Sequence, residues 1–424
     1  MRILAITSLY PRPGRPNFVP FHRRQFRELA SGHEFRVVAP IAWTEAVKDI
    51  VTGRRDQKTY RNVDGIEVHH PLFYFTPGFQ RQWYGESFLA SVRPTVEMLV
   101  REQRPDVLLS AWTHPDGWAV ARLGRELGIP TVMKVMGSDV HVITRDPRRR
   151  AKVSEAIATS DGISAVSRDL AARVIELGAN PERVRVIPEG IDGRMFSPGD
   201  RAQARIRLGL ALEEKYVLFV GNLLLSKGAG VLVDACRLWA DRGTKVHTYL
   251  VGGGRDEGRI RAMIAKRGLG SFVTLVGPRP IDELPDWYRS SDVVVLPSFS
   301  EGIPNVLREA TACDRPFVST RVGGIPEISE PAISRLVAPG SAEELAQAVA
   351  LTLAEPPAPG VAAAHSRNIS WPESARLLVD FMRDCGVHSD RSNHNDADVF
   401  SDPLTNSSSR RPVLNSPRGG VEGD

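Results

Sequence analysis

The chain reads as an α/β protein of two Rossmann-like domains whose parallel sheets face a cleft. Three observations predict this. Short apolar runs alternate with amphipathic helical patterns from the first residues onward, the pattern of parallel sheets covered by helices on both faces. The alternation restarts after Gly190-Ile-Asp-Gly-Arg-Met-Phe-Ser-Pro-Gly199, a stretch suited to a linker. The length, 424 residues, fits two domains of ordinary size better than one core.

The first domain is expected over 1–190. Strands are read at Ile3–Ile6, Phe35–Ala39, Gly65–His69, Val107–Ala111, Thr131–Val135, Gly162–Val166 and Val184–Ile187, with helices such as Pro20–Ala30, Ser87–Glu102 and Trp118–Leu127 between them. A linker follows over 191–200. The second domain, 201–370, has strand-like runs at Tyr216–Gly221, His247–Gly252, Phe272–Gly277, Asp292–Pro297, Pro316–Thr320 and Arg335–Ala338. Trp371–Asp384 is a last amphipathic helix, within a segment 371–385. Residues 386–424 are rich in Ser, Asn, Asp, Arg, Pro and Gly; such a tail buries little and is expected to be disordered.

Hydrophobic content of 42% and charged content of 25% describe a soluble globular protein. The three cysteines, Cys236, Cys313 and Cys385, lack pairing or metal spacing, so a reducing, cytoplasmic setting is expected. The opening Met1-Arg-Ile-Leu-Ala-Ile-Thr-Ser-Leu-Tyr-Pro has a brief apolar run and no small-residue cleavage site; it is read as a first strand. No run reaches the ~20 apolar residues of a membrane span. The net charge is +5, and its basic excess lies in residues 1–190. Arginine-rich composition explains that excess, or it steers anionic partners: a phosphorylated lipid, the inner face of the plasma membrane, or nucleic acid.

The most informative stretch is Pro297-Ser-Phe-Ser-Glu-Gly-Ile-Pro-Asn-Val-Leu-Arg-Glu-Ala310. A buried strand runs into a small-residue turn and then a helix starting at Pro304. The free N–H groups of a first helical turn, with the helix dipole, make an anion site. Glu301 stands in the turn, and Glu309 lies roughly 7–8 Å along the helix at ~1.5 Å per residue. That is about the reach from a diphosphate to a ribose, whose hydroxyls a carboxylate accepts in dinucleotide folds. Two surface glutamates beside a helix cap are the plainer reading.

Other loops sit at the carboxyl ends of strands, where open α/β sheets bind ligands. Gly221-Asn-Leu-Leu-Leu-Ser-Lys-Gly228 offers Lys227 to a diphosphate, where it would stabilise leaving-group charge. Val251-Gly-Gly-Gly-Arg-Asp-Glu-Gly258 fails the G-x-G-x-x-G spacing, because Glu257 replaces the third glycine; its glycines, Gly252 among them, are read as close backbone approach. In the first domain the loop Tyr10–Asn17, with Gly14, lies on the same edge. Gly137-Ser-Asp139 follows the fifth strand. Asp139 either orients a sugar hydroxyl or caps the next helix, with Ser138 beside it. Trp112-Thr-His-Pro-Asp-Gly117 brings His114 and Asp116 as candidates for lining the cleft. Arg145-Asp-Pro-Arg-Arg-Arg-Ala-Lys152 is the densest basic cluster, an exposed helix face or a contact for an anionic acceptor or membrane. Asp396-Ala-Asp398 resembles a metal motif but falls in the tail and is set aside.

Taken together, residues 1 to about 385 resemble the large bacterial family 4 of retaining glycosyltransferases, with the two-domain GT-B fold. Ser300-Glu-Gly-Ile-Pro-Asn-Val-Leu-Arg-Glu309 matches its Glu-x7-Glu motif. Gly137-Ser-Asp139, Val166-Ser167, Ile187-Pro-Glu-Gly-Ile-Asp192, Gly221…Lys227-Gly228, Val251-Gly252 and Thr320-Arg-Val-Gly-Gly-Ile-Pro-Glu327 occur in the family's order. The resemblance implies that Glu301 sits at the transferred sugar, Glu309 binds ribose and Lys227 grips the diphosphate. The backbone at Gly302 and Ile303 would hold sugar and phosphate, with Asn305, Val306, Asn222 and Gly252 completing the donor pocket. Glu301, Lys227 and Asp139 are the implied catalytic set; Gly14, His114, Asp116 and Ser138 face the acceptor. The C-terminal helix would return to the first domain. Two positions depart from many relatives: Asn222 replaces an arginine, and Met136 replaces a histidine before Gly-Ser-Asp.

The implied reaction moves a sugar from a UDP- or GDP-linked donor to a glycan or lipid-linked acceptor in cell-surface or exopolysaccharide synthesis. It needs no metal, no cofactor and no nucleic acid. The basic domain leaves room for peripheral contact with an anionic membrane. Rival readings on the same fold are a nucleotide-sugar epimerase, a sugar phosphorylase, or a glycan- or nucleotide-binding protein without catalysis.

Overall fold

The structure, a computed structural model, describes residues 1–12, 15, 18–53, 60–366 and 368–393. Two sheets organise it, and every run expected as a strand forms one, within a residue at each end. The N-terminal sheet runs in the spatial order Val184–Val186, Gly162–Ala165, Thr131–Val135, Val107–Ser110, Arg2–Ile6, Glu34–Val38, Ile66–His69, Tyr60–Val63. All neighbours are parallel except the last pair. The sequence reading missed that edge strand. It is a hairpin on Asp64-Gly65, both at positive φ, as a tight hairpin turn requires.

The second sheet is wholly parallel. Its order is Val273–Gly277, Val246–Val251, Lys215–Val220, Val293–Leu296, Phe317–Thr320, Ser334–Val337. Numbered along the chain this is 3-2-1-4-5-6, the dinucleotide-fold order, whose direction of winding reverses between the first and fourth strands. Val293–Leu296 is buried at every position, as a strand covered on both faces must be.

The chain passes between the sheets twice. The two passages pair as a short parallel ladder, Gly190–Ile191 against Ile369–Ser370. Beyond it, Trp371–Asn393 is one helix. Ala375, Leu378, Val379, Phe381, Met382 and Cys385 pack into the core formed by Ile3, Phe26, Leu29 and Val132. The last helix therefore belongs to the N-terminal domain. It also outruns the expected end at Asp384, so residues 386–393 are helical and not part of a disordered tail; the remainder of that tail, with Asp396 and Asp398, lies outside the described residues. The three cysteines are free and buried.

Candidate active site

At the reversal point of the second sheet, the loops after its first and fourth strands lie against each other. Phe299 donates its N–H to the Ser226 carbonyl at 3.0 Å. Gly228, at φ 74°, has no room for a Cβ beside the Pro297 carbonyl. Gly254 is closed in the same way by the backbone of Leu223, so the glycine-rich loop serves close packing. These loops form one wall of a cavity of about 1260 Å³ lying between the domains.

Lys227 and Glu301 meet on that wall. The Lys227 ammonium donates to both carboxylate oxygens, at 2.7 and 2.8 Å, and the Ser298 hydroxyl donates to Oε1 at 2.7 Å. Glu301 is only 8% exposed; polar oxygens that deep are costly to bury without such partners. The helix begins at Asn305, with Pro304 as its N-cap instead of its first residue, and no described side chain caps it. Its first N–H groups are therefore open to an anion. Glu309 lines the cavity and accepts the Tyr288 hydroxyl at 2.8 Å through Oε2. Burial pushes its carboxyl up, against the pull of that bond and of Arg24 and Arg308. Asn222, Gly252, Gly302, Ile303, Asn305 and Val306 line the same space.

The sequence matches the glycosyl transferases group 1 over residues 214–355 and the glycosyl transferase 4-like domain over residues 22–190. Together these cover the whole second sheet and every strand of the first except Arg2–Ile6. The chain belongs to the group 1 glycosyltransferases.

Among its relatives is the putative teichuronic acid biosynthesis glycosyltransferase TuaC of Bacillus subtilis, 30% identical over 362 residues, spanning 82% of this chain and 88% of that protein. A D-inositol 3-phosphate glycosyltransferase of Acidothermus cellulolyticus is 30% identical over 64% of this chain and 66% of its own length. HepE of Anabaena, solved in complex with UDP, superposes with a TM-score of 0.69 at 18% identity, covering 91% of this chain and all of that one. The fold shared with such structures is GT-B.

Across the cavity from Lys227 and Glu301, the N-terminal domain of this glycosyltransferase departs from the sequence reading. Ser138 lines the cavity, but Asp139 does not. It is fully buried, and its Oδ1 accepts the N–H groups of Met136 and Gly137 at 3.0 and 2.8 Å. Burial pushes this carboxyl up to about 6. It shapes the Gly137 turn and does not line the cavity where a sugar contact was expected. Asp116 is also fully buried. It accepts the Thr7 hydroxyl at 3.1 Å and the Ser8 N–H at 2.6 Å, with the Ser8 hydroxyl bonded to both its oxygens. Desolvation raises it to about 6. His114 is buried near Arg149, which with burial pushes its imidazole down to about 4. Neither lines the cavity; Asp116 ties Thr7 and Ser8 to its own loop. Gly14 lies outside the described residues.

Further side chains complete the cavity. Phe21 and Arg24 come from the helix Pro20–Gly32, Trp112 and Met136 from loops, and Arg15 and Arg279 add charge from either domain. Pro20 at the start of a helix on the carboxyl edge was the available signal for Phe21 and Arg24. The basic cluster is partly spent internally. Asp146 caps its helix through the Arg148 and Arg149 N–H groups, and Lys152 pairs with Glu86 and stacks over Trp118. Among the described residues no helix is long and apolar enough to cross a membrane, and no group of three or more His, Cys, Asp or Glu is placed to hold a metal ion.

Proposed function

We propose that this glycosyltransferase moves a sugar from a UDP- or GDP-linked donor to a glycan or lipid-linked acceptor with retention of configuration, in the building of a cell-surface polysaccharide. One observation carries the reading. Lys227, Glu301, Glu309 and the uncapped start of Asn305–Ala312 converge on a single cavity lined by both domains. The diphosphate would lie at the helix start, where dipole and free N–H groups favour negative charge. Glu309, with one oxygen held by Tyr288, keeps lone pairs for ribose hydroxyls. TuaC's assignment to teichuronic acid biosynthesis and HepE's complex with UDP agree with this class.

The Lys227–Glu301 pair gives the binding step a definite form. An incoming diphosphate competes for the ammonium, and Glu301 is freed toward the sugar hydroxyls. In transfer, the bond from the anomeric carbon to the diphosphate oxygen breaks while the acceptor oxygen attacks from the same face. The leaving oxygen takes the acceptor's proton, and Lys227 with the helix start stabilises the charge it develops. Closure of the domains excludes water that would otherwise hydrolyse the donor.

A thermal-shift panel of UDP, GDP, ADP and their sugars tests the assignment. A ligand at 100-fold its Kd adds about 2.7 kcal/mol to native stability, or roughly 5–10 °C for a domain of this size. One nucleotide should raise the melting point, and Glu309→Ala should abolish most of that rise. A flat panel across all three bases would overturn the reading.

A further inference from the structure

Glu327 stands at the end of the block Thr320–Glu327, in the turn Ile325–Ile328 of the donor domain. Its carboxylate crosses to the other domain. Oε2 accepts the Arg168 N–H and Oε1 the Asp169 N–H, each at 2.9 Å. Those are the first two residues of the helix Arg168–Glu176, whose Ser167 cap takes only the Leu170 N–H, at 3.1 Å. The orphan donors of one helical turn are thus shared between a local serine and a glutamate 158 residues away. Charge-assisted bonds to a helix start rank among the stronger polar contacts. Here they exist only while the domains are together.

The same turn is fastened to the donor loop. Gly324 donates its N–H to the Gly302 carbonyl at 2.8 Å. A Cβ at Gly324 would come within 2.7 Å of Ser167, and one at Gly137 within 2.8 Å of the Gly302 nitrogen. Backbone from both domains therefore meets at Gly302, the neighbour of Glu301, with Glu327 holding the contact from one side.

We propose that Glu327 is an interdomain latch, a positioning residue that holds the closed arrangement in which the Glu301–Gly302 loop meets Met136–Ser138. The inference rests on the proposed transferase only for what the latch positions; the latch itself is a statement about domain geometry.

Two variants approach the contact from opposite sides. Glu327→Ala removes the acceptor. Arg168→Pro removes one donor while leaving the carboxylate, at a first helical position where proline is well tolerated. Small-angle scattering on the full chain, with and without saturating UDP, reads the domain separation. Steady-state kinetics with the donor identified by the panel reads its effect.

Glu327→Ala should give a more open particle that UDP only partly closes, and turnover lower by roughly tenfold. UDP affinity should stay within about threefold, because Glu327 does not line the nucleotide cavity. Arg168→Pro should show the same pattern at smaller amplitude, and Glu327→Gln should restore part of the loss. If both variants fold and scatter as the parent does, with or without UDP, the latch is wrong even where nucleotide binding stands. Should Glu327→Ala not fold, Arg168→Pro alone decides by the same scattering comparison.

Discussion

Where strand order reverses in the C-terminal domain, the two adjoining loops send Lys227 and Glu301 into the cavity and bind them to each other. At the corresponding place in the N-terminal sheet, between Arg2–Ile6 and Val107–Ser110, the loop residue Asp116 turns inward and ties down Thr7 and Ser8. Both places carry an acidic side chain near the carboxyl ends of parallel strands. One acid lines the cavity, bound to Lys227; the other is consumed in holding a neighbouring loop. The wall expected to meet the diphosphate carries Lys227, Glu301 and Glu309, while the facing wall presents Phe21, Trp112 and Met136 with Arg15 and Arg24.

The largest expected break in this contrast comes from the donor wall. Glu301→Ala should lower kcat by about 10²–10³-fold, the scale seen when a transition-state contact is removed, with UDP affinity little changed. Steady-state kinetics beside calorimetric UDP titration separates the two, and turnover within threefold of the parent would put the chemistry elsewhere. Asp116→Ala should do the reverse. Loss of a buried acceptor for several bonds should cost about 3 kcal/mol of stability, read by denaturant unfolding, while turnover of the folded enzyme falls less than tenfold. A larger loss of turnover than of stability would move Asp116 into the reacting site.

The smallest effect is a pH dependence. His114 has its folded pKa depressed from 6.5 to about 4 by burial. Its contribution is fully present above pH 6.5 and is lost as pH falls through 4. Asp116 and Asp139, raised to about 6, act in the opposite sense: their contributions are present below about pH 4 and lost as pH rises through 6. Comparison with His114→Gln isolates one group from the others. The variant should gain about 2 kcal/mol on the parent between pH 7.5 and pH 5, and parallel stability curves would show that His114 does not carry the effect.

Much of the fold was legible because strands buried on both faces leave continuous apolar runs such as Val293–Leu296, which few other structures produce. The edge strand Tyr60–Val63 lacks such a run, and only Asp64-Gly65 marked it. The convergence of Lys227, Glu301 and Glu309 on one cavity was legible for a related reason. Glycines, a lysine and spaced glutamates in loops after strands have few structural uses together. Asp139, Asp116 and His114 lie outside the cavity lining, and sequence could not separate them from its lining because a polar loop residue looks the same whether it faces a cavity or the interior. Their burial depends on Thr7, Ser8 and Met136 arriving beside them, which no local pattern records. Glu327 belongs to the same class, since its partners lie in the other domain.

The final helix carries a consequence for how the protein is made. Phe381 and Met382 cover the core of a domain whose strands are all synthesised before residue 190. A ribosome therefore produces the first sheet and then the whole donor domain while one apolar face of the first sheet still lacks its cover. The donor domain can close its own core during that interval; the N-terminal domain is completed only as the last helix emerges. A fragment ending at the linker would keep that face bare and be prone to self-association, so the chain's first-made half is the last to become whole.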